Sequence, residues 1–274
     1  RIHRISEGWI SAVYLVMQSY GKNGALDTGR DIRRLMENAV IEQYTEEESV
    51  ILASLSILDS FTLKQAEYIT GKPEASEIIQ YLSDCNSFVF HDEKTDSYRL
   101  HSIFSSFLRE RLQKHLGDTG ILKLYSRTGR WHIENGNLLD GLRNLAEAKE
   151  YDFILEEFEK QRMTKIIDRY PGFILKMFEQ IPDEVKYRHP TGCLVNLQFY
   201  ITSVDSEGGG QLLAQIEQYY MKNNTISPSL KRRIMGEIEL IRSFLFFNDV
   251  PLMHEHHLKA YDMLEGSSSI ANKD

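Results

Sequence analysis

Apolar residues recur at helical spacing along most of the chain, and alternation of apolar and polar positions is confined to one short stretch. Thr45, followed three residues later by Glu48, forms a capping-box pattern and predicts the start of a helix. A second helix is predicted over Leu63–Thr70, ending at Gly71, and a third from about Ala75 to Cys85. Three short helices are therefore expected in this part of the chain.

The alternating stretch is SFVFHDEKTDSYRL, residues 87–100. Its two β-prone runs flank the polar turn Asp92–Asp96, which predicts a β-hairpin. A helix with one apolar stripe is predicted directly after it, over Ser102–His115. Three helices followed by a hairpin are the pattern of a winged helix, so we predict a winged-helix domain over residues 45–116.

From about Thr119 the apolar spacing is helical throughout. The polar turns VDSEGGGQ (204–211) and FNDVP (247–251) lie about 40 residues apart, close to the period of tetratricopeptide arrays. We predict a TPR-like helical-repeat domain over residues 117–265 and a polar tail over 266–274. The expected fold class is mainly α: a winged-helix domain with a short β-hairpin, followed by a TPR-like α-helical repeat domain.

Composition narrows the functional classes. The 274 residues contain 32 Lys and Arg against 40 Asp and Glu, a net charge of −8 that suits nucleic-acid backbones poorly. The two cysteines have no CxxC partner, and no apolar run approaches the roughly 20 residues needed to cross a membrane. We therefore expect a cytoplasmic protein with reduced thiols. Because the chain begins at Arg1 without a signal-peptide pattern, we also expect it to be a segment of a longer protein.

Motifs for catalysis are missing from the sequence. No G-x-x-x-x-G-K-[ST] loop occurs, since the glycine run 208–210 continues into Gln211 and Leu212. In MHEHHL (253–258), His254 and His257 share a helical face, but Leu258 stands where a metalloprotease helix needs histidine. No pattern places a nucleophile beside a base. We expect no enzyme activity, no bound metal and no cofactor in this chain itself.

The third predicted helix would be the DNA-reading helix of a winged-helix domain. Its sequence EASEIIQYLSDC carries Glu74, Glu77 and Asp84 and no basic residue. A helix that reads a groove needs Lys, Arg, Asn or Gln that reach bases and phosphates, and Gln80 alone does not offset the three carboxylates. The sequence therefore predicts no direct DNA contact by this chain.

His101 lies between the hairpin and the helix that follows it. Unpaired backbone N–H groups at a helix start favour an anion, and an adjacent imidazole could donate to a phosphate. The alternative is a partly buried histidine that orders the hairpin. Arg99 could support the same phosphate or be a solvated strand residue. Three basic residues are predicted to interact with the C-terminal dipole of the 102–115 helix: Arg109, Arg111 and Lys114.

Four stretches resemble, in this order, the centre of large LuxR-type regulators of the maltose-activator class, which belong to the signal-transducing ATPases with numerous domains. They are ISEGWISAVYL, SILDSFTLKQAEYITG, IIQYLSDCNSFVFHDEKTDSYRLHSIFSSFLRERL and RWHIENGNLLDGLRNLAEAKEYDFILEE. The resemblance extends from Arg1 to about Lys160. It implies an architecture of P-loop ATPase, winged helix, helical-repeat sensor and C-terminal helix-turn-helix.

The resemblance also implies roles for individual segments. Related ATPases carry a histidine at the matching seam that contacts bound ADP, so His101 is implied to sense an ADP phosphate in the longer protein, with Arg99 beside it. Here Leu100 and Ser102 replace the aromatic residue and second histidine that usually flank this position. Residues 1–44 are implied to be the helical end of the ATPase module, whose cofactor is ATP or ADP.

These expectations combine into one function: a regulatory fragment of an ATP-dependent bacterial transcriptional activator, in which helical repeats sense an effector and are coupled to a nucleotide switch. Its expected partners are the ATPase module and the C-terminal DNA-binding domain of the same chain, and a small-molecule or protein inducer. The alternative is a helical-repeat protein–protein interaction module without nucleotide coupling. A P-loop upstream of this sequence would favour the first.

Overall fold

The computed structural model describes residues 44–85, 88–160 and 164–271. The chain divides into two compact units, Arg1–Lys149 and Glu150–Asp274. The predicted helical end of an ATPase module, residues 1–44, lies outside the described residues except for Tyr44, and so do residues 272–274 of the predicted tail.

Three short helices open the described part of the first unit: α1 Glu46–Leu55, α2 Leu63–Thr70 and α3 Glu74–Asp84. The predicted capping box closes the start of α1, where the Thr45 hydroxyl accepts from the Glu48 N–H and the Glu48 carboxylate accepts from the Thr45 N–H at 2.7 Å. Gly71 ends α2 in the left-handed region, with φ of 71°. Both of these helix boundaries are therefore confirmed.

The predicted hairpin consists of two antiparallel strands, β1 Val89–Asp92 and β2 Ser97–Leu100. Tyr98 also exchanges two backbone hydrogen bonds, of 2.9 and 2.7 Å, with Phe61 in the segment between α1 and α2. This bridge ties the hairpin to the helices. Successive strand residues face opposite sides, so Leu100 is buried while its neighbour Arg99 is exposed.

The core of the first unit joins the three helices to the hairpin and the next helix. Its most deeply buried side chains are Leu52, Leu55, Phe61, Ile69, Ile79, Phe104 and Leu108. Burying each such side chain stabilises a fold by about 1.5–3 kcal/mol, so this cluster fixes how the hairpin meets the helix that follows it.

Helix α4, Ser102–Glu134, is kinked at Gly117, which has φ of 60° and ψ of 178°. Helix α5, Leu138–Glu147, packs against α4 after a turn at Gly136. Gly129 permits this close approach, because a Cβ there would lie 2.6 Å from the Leu145 side chain. The predicted domain boundary at 116/117 lies at the kink, whereas the two compact units meet later in the chain, at 149/150.

The described residues of the second unit form eight helices. They are α6 Tyr151–Lys160, α7 Thr164–Arg169, α8 Pro171–Gln180, α9 Asp183–Arg188, α10 Pro190–Ser203, α11 Ser206–Lys222, α12 Pro228–Leu245 and α13 Val250–Leu264. Neighbouring helices from α10 to α13 pack on one another. Stacked helices of this kind are what a repeat array requires, and the TPR-like assignment stays a prediction.

The segment after α13 returns to the core of the second unit. Ile270 is 8% exposed and belongs to that core. The buried carboxylate of Glu237 in α12 accepts hydrogen bonds from the Ser268 hydroxyl, at 2.6 Å, and from the Ser269 N–H. The polar composition of residues 266–274 gave no sign of this packing.

The expected fold class is confirmed at the level of a mainly α protein with one two-stranded hairpin after a winged-helix-like region and many helices beyond it. Among the described residues, no helix combines the length and apolar character that a membrane span needs.

Candidate functional site

His101 is the N-cap of α4, at the end of β2. Its backbone is extended, with φ of −57° and ψ of 138°, and its Nδ1 accepts from the Ile103 N–H at 3.4 Å. Its own N–H donates to the Phe88 carbonyl at 2.8 Å, and its carbonyl accepts from Ser105 N–H at 2.8 Å. The residue therefore joins the hairpin to the helix through both its backbone and its ring.

The His101 ring is 1% exposed. Because Nδ1 accepts a hydrogen bond, a neutral ring carries its proton on Nε2. A phosphate would reach that proton only after a neighbouring group moved aside. The described role of His101 is thus a helix cap, and its contact with a nucleotide stays a prediction.

Arg99 lies on the exposed face of the hairpin, opposite Phe90 in the strand register. Its guanidinium carbon lies 5.5 Å from the centre of the Phe90 ring, and the Phe90 ring centre lies 5.7 Å from that of His101. Phe90 is itself 46% exposed. The three side chains form a row from solvent to interior: a cation, an aromatic ring and a buried imidazole.

The outer face of α3 is acidic. Glu74, Glu77 and Asp84 are all exposed, with Gln80 between them. The opposite face of the helix is buried and consists of Ala75, Ile78, Ile79 and Leu82. Three carboxylates on the outer face repel phosphates, which is unfavourable for a helix placed in a DNA groove.

Arg109 differs from its sequence prediction. Its Nε donates to the carbonyl oxygen of Ser56 at 2.6 Å, and the Ser105 hydroxyl donates to the same oxygen at 3.1 Å. Ser56 is the C-cap of α1. Arg109 therefore binds the C-terminal end of α1 rather than the end of its own helical segment, which is interrupted at Gly117. These hydrogen bonds connect α4 to the end of α1.

The second unit contains a cavity of about 290 Å³. Four successive helices, α8 to α11, contribute its walls, and its apolar surface includes Phe178, Leu197 and Ile216. Leu212 lines it from α11 and is 43% exposed, so it lies at the rim. Concave, mostly apolar cavities with a few polar groups are typical small-molecule sites.

Asn196 in α10 lines this cavity. Its Oδ1 is shielded from solvent and has no hydrogen-bond partner among the described residues. A buried polar atom that lacks a partner costs about 1–3 kcal/mol, so native proteins usually avoid one. Turning the amide about its last torsion angle exchanges its oxygen with its nitrogen. Asn196 can thus offer either a donor or an acceptor to a molecule in the cavity.

The charges at the cavity are unbalanced. Glu179, Asp183 and Lys186 all line it, and the Lys186 ammonium lies 3.1 Å from the Asp183 carboxylate. Because that pair is nearly neutral as a unit, the Glu179 carboxylate leaves the cavity with a net negative charge.

Tyr187 is held in the cavity wall by two other tyrosines. Its ring stacks on Tyr219 with centres 4.0 Å apart, and the buried Tyr220 hydroxyl donates to the Tyr187 carbonyl at 2.9 Å. Burial, followed by the nearby Asp183 carboxylate, raises the pKa of the Tyr187 phenol. The phenol is therefore protonated at neutral pH and able to donate a hydrogen bond.

Cys193 also lines the cavity. Burial raises the pKa of its thiol to about 12, although Lys186 acts in the opposite direction. A thiol with that pKa is almost wholly protonated at neutral pH and is a poor nucleophile. Cys193 therefore provides an apolar surface to the cavity.

The histidines of MHEHHL do not converge. His254 is exposed, and the Nε2 of His257 pairs with the Ser243 hydroxyl at 2.9 Å. The buried one is His256, whose Nδ1 lies 2.8 Å from Glu239 and whose ring stacks on Phe246. Within the described ranges no three His, Cys, Asp or Glu side chains are grouped as metal ligands.

Sequence reasoning missed Asn196 and His256. The apolar neighbours of Asn196 conceal it, and the signal that the sequence offers is an asparagine among the buried residues Cys193, Leu194 and Leu197. For His256, the neighbouring histidines drew attention to their shared helical face and away from the buried one.

One family comparison gives a match. Residues 36–119 match the family described as the MalT winged helix domain. This range covers less than half of the chain and includes the three helices, the hairpin and the start of α4. It identifies a MalT-like regulator region in the first unit. No curated protein matches the chain.

Proposed function

We propose that the chain is a regulatory segment of a cytoplasmic, ATP-dependent bacterial transcription activator of the LuxR type. In this proposal the second unit senses an effector, and the winged helix passes that signal to a nucleotide switch. The observation that carries the proposal is the match of residues 36–119 to the MalT winged helix domain.

In this proposal the winged helix does not read DNA. The exposed carboxylates of Glu74, Glu77 and Asp84 on α3 support that part, because base readout relies on cationic or amide side chains. DNA binding is assigned to a helix-turn-helix domain elsewhere in the longer protein. ATP or ADP is likewise assigned to a separate ATPase module, because this sequence contains no P-loop.

The proposed switch operates by a shift of population. ADP holds the winged helix against the ATPase module at the His101 seam, and the effector favours the open state. An effector shifts this equilibrium only by the difference between its affinities for the two states. The closed and open states therefore have to differ at the effector site in the second unit.

Arg99 and Phe90 support a route to His101. Arg99 is exposed and positively charged, so it is the first of the row to meet an incoming phosphate. Phe90, between the two, is 46% exposed and can turn towards solvent without breaking a hydrogen bond to its side chain. In this proposal Phe90 moves aside when ADP approaches the imidazole.

The test uses the longer protein and two substitutions of His101. Asparagine is a good N-cap residue, so His101→Asn keeps an acceptor for the Ile103 N–H and removes the imidazole, whereas His101→Ala removes both. If the imidazole contacts ADP, both variants lose ADP affinity by about 10- to 100-fold, the range expected for one hydrogen bond to a charged group. Isothermal titration with ADP measures the loss.

Two results would contradict the nucleotide role. Wild-type affinity in both variants would exclude a contact between His101 and ADP. A loss in His101→Ala that His101→Asn restores would show that His101 acts only as a cap. Absence of a P-loop from the sequence upstream would instead favour the helical-repeat interaction module.

A further inference from the structure

We propose that the cavity between α8 and α11 is a binding site for a small amphipathic molecule, neutral or cationic, with an apolar ring and an amide or alcohol head group. This inference deepens the proposed function by giving the chemical class of its effector, and it rests on that function only for the effector role. Binding itself is a property of this chain.

The size of the cavity limits the ligand. Its volume of about 290 Å³ lies just below the range of roughly 300–1,000 Å³ typical of small-molecule sites. A compact molecule with one or two rings fits such a space, whereas a peptide or another extended chain does not.

The side chains that line the cavity require the ligand to have an apolar part. Phe178, Leu197 and Ile216 are buried apolar side chains, and Cys193 adds a thiol that is protonated at neutral pH. These groups offer no hydrogen bonds of ordinary strength to a ligand. The part of the ligand that lies against them must therefore be apolar, and its burial there provides non-directional affinity.

The polar head group of the ligand is inferred from Asn196. Asn196 lines the cavity, and its Oδ1, which is shielded from solvent, has no partner in the described part of the chain. Turning the amide about its last torsion angle brings that oxygen to the position of the nitrogen, where a ligand amide or hydroxyl can donate to it. The protonated Tyr187 phenol, also in the wall, can donate to a ligand oxygen. A site built to hydrogen-bond such a group discriminates strongly against analogues that lack it.

The charge preference follows from the carboxylates. Asp183 is paired with Lys186, and Glu179 adds a second negative charge at the cavity. An acidic ligand would be repelled by Glu179 and would find Lys186 already engaged. Neutral and cationic ligands meet no such repulsion.

Three probes with one ring system and different charges test the class: indole-3-acetamide, tryptamine and indole-3-acetate. They are titrated into the 274-residue chain without nucleotide, and binding is followed by ligand-observed NMR. We expect the neutral and cationic probes to bind at millimolar concentration or below. The anion should bind more weakly than the amide by about fivefold or more, as expected for a like charge nearby.

Substitutions locate the bound probe. Asn196→Leu replaces the side-chain amide with an apolar group of similar volume and should lower the affinity for indole-3-acetamide by about fivefold or more. Gln198→Leu, on the same helix but away from the cavity wall, is the matched control and should leave affinity unchanged. Leu212→Trp at the exposed rim should reduce the affinity for indole-3-acetamide and for tryptamine. Glu179→Gln should reduce the difference in affinity between indole-3-acetamide and indole-3-acetate.

The outcomes separate this inference from the proposed function. No binding by the amide and the amine, equal binding by the anion, or identical affinity in the Asn196 and Gln198 variants would each overturn the site. These measurements contain no nucleotide, so they leave the His101 test unaffected. Conversely, an ADP affinity that does not change when His101 is substituted would contradict the nucleotide switch but would leave the cavity as a ligand site.

Discussion

The two candidate sites differ in what their polar side chains already bind. In the first unit, the Nδ1 of His101 accepts from the α4 backbone and the ring is 1% exposed. In the second unit, the Oδ1 of Asn196 is buried beside a cavity without a partner among the described residues. A satisfied polar group inside a protein stabilises the local fold, whereas an unsatisfied one costs free energy unless something else binds it.

This difference assigns unlike tasks to the two units. The first unit has a continuous core from α1 to α4, and its best candidate residue contributes to that fold. The second unit leaves space between its helices and places polar groups around it. The ring of a switch residue in the first unit has to be uncovered before it can act, whereas the second unit already contains a cavity in which only the Asn196 amide has to turn.

The largest expected effect concerns the reactivity of Cys193. With a pKa of about 12, the thiolate fraction at pH 8 falls on the order of 10³-fold below that of an ordinary cysteine with a pKa near 8.5. Alkylation with iodoacetamide at pH 8, followed by mass spectrometry, should label the exposed Cys85 and leave Cys193 almost unmodified. The Cys193 rate should rise about tenfold per pH unit. Equal labelling of both thiols would mean that Cys193 is not buried as described.

The next largest effect is on the stability of the first unit. His101→Ala removes the cap and the buried ring and should lower the free energy of unfolding by about 2 kcal/mol. His101→Asn keeps the acceptor and should cost about 1 kcal/mol or less. Urea denaturation followed by circular dichroism measures both. If the two variants are equally destabilised, the hydrogen bond to Ile103 contributes little and the ring acts through packing alone.

A smaller effect is expected at the tyrosine cluster. Tyr220→Phe removes the hydrogen bond to the Tyr187 carbonyl and should cost about 1 kcal/mol of unfolding free energy. Because Tyr187 lines the cavity, binding of indole-3-acetamide should weaken as well. Tyr219→Phe is the control, since it keeps the stacked ring on Tyr187. Similar losses of stability and of probe affinity in both variants would show that the Tyr220 hydroxyl contributes no more than the Tyr219 hydroxyl.

The smallest effect has the opposite sign. Asn196→Leu relieves a buried oxygen that lacks a partner and should stabilise the chain by up to about 1 kcal/mol, while Gln198→Leu should change stability by no more than about 0.5 kcal/mol. Thermal unfolding compares them. Destabilisation by Asn196→Leu would show that the amide is already well bonded in solution.

The same contrast separates what the sequence predicted from what it did not. The capping box at Thr45, the glycine that ends α2 and the hairpin were predictable because each depends on residues close together in the chain. The family range 36–119 covers the same part. His101 was found for the same reason, since a strand end and a helix start are local features.

The cavity was not predictable because its walls come from four successive helices whose side chains meet only through packing. The apolar pattern of α10 identifies a buried face, but which neighbours leave a gap there depends on packing between helices. Arg109 shows the same limit: its charge was attributed to its own helix, whereas its partner, the Ser56 carbonyl, lies 53 residues earlier. Local pattern predicts elements, and packing decides which polar groups find partners.

The most direct test of the account is the coupling between the two sites in the longer protein. The ADP dissociation constant is measured with and without saturating indole-3-acetamide, in the wild type and in Asn196→Leu. We predict that the probe weakens ADP binding by about fivefold or more and that ADP weakens probe binding by the same factor. In Asn196→Leu, about fivefold or more probe should be needed to produce the same change in ADP affinity. Unchanged ADP affinity with the probe demonstrably bound would contradict the claim that this chain couples effector sensing to a nucleotide switch.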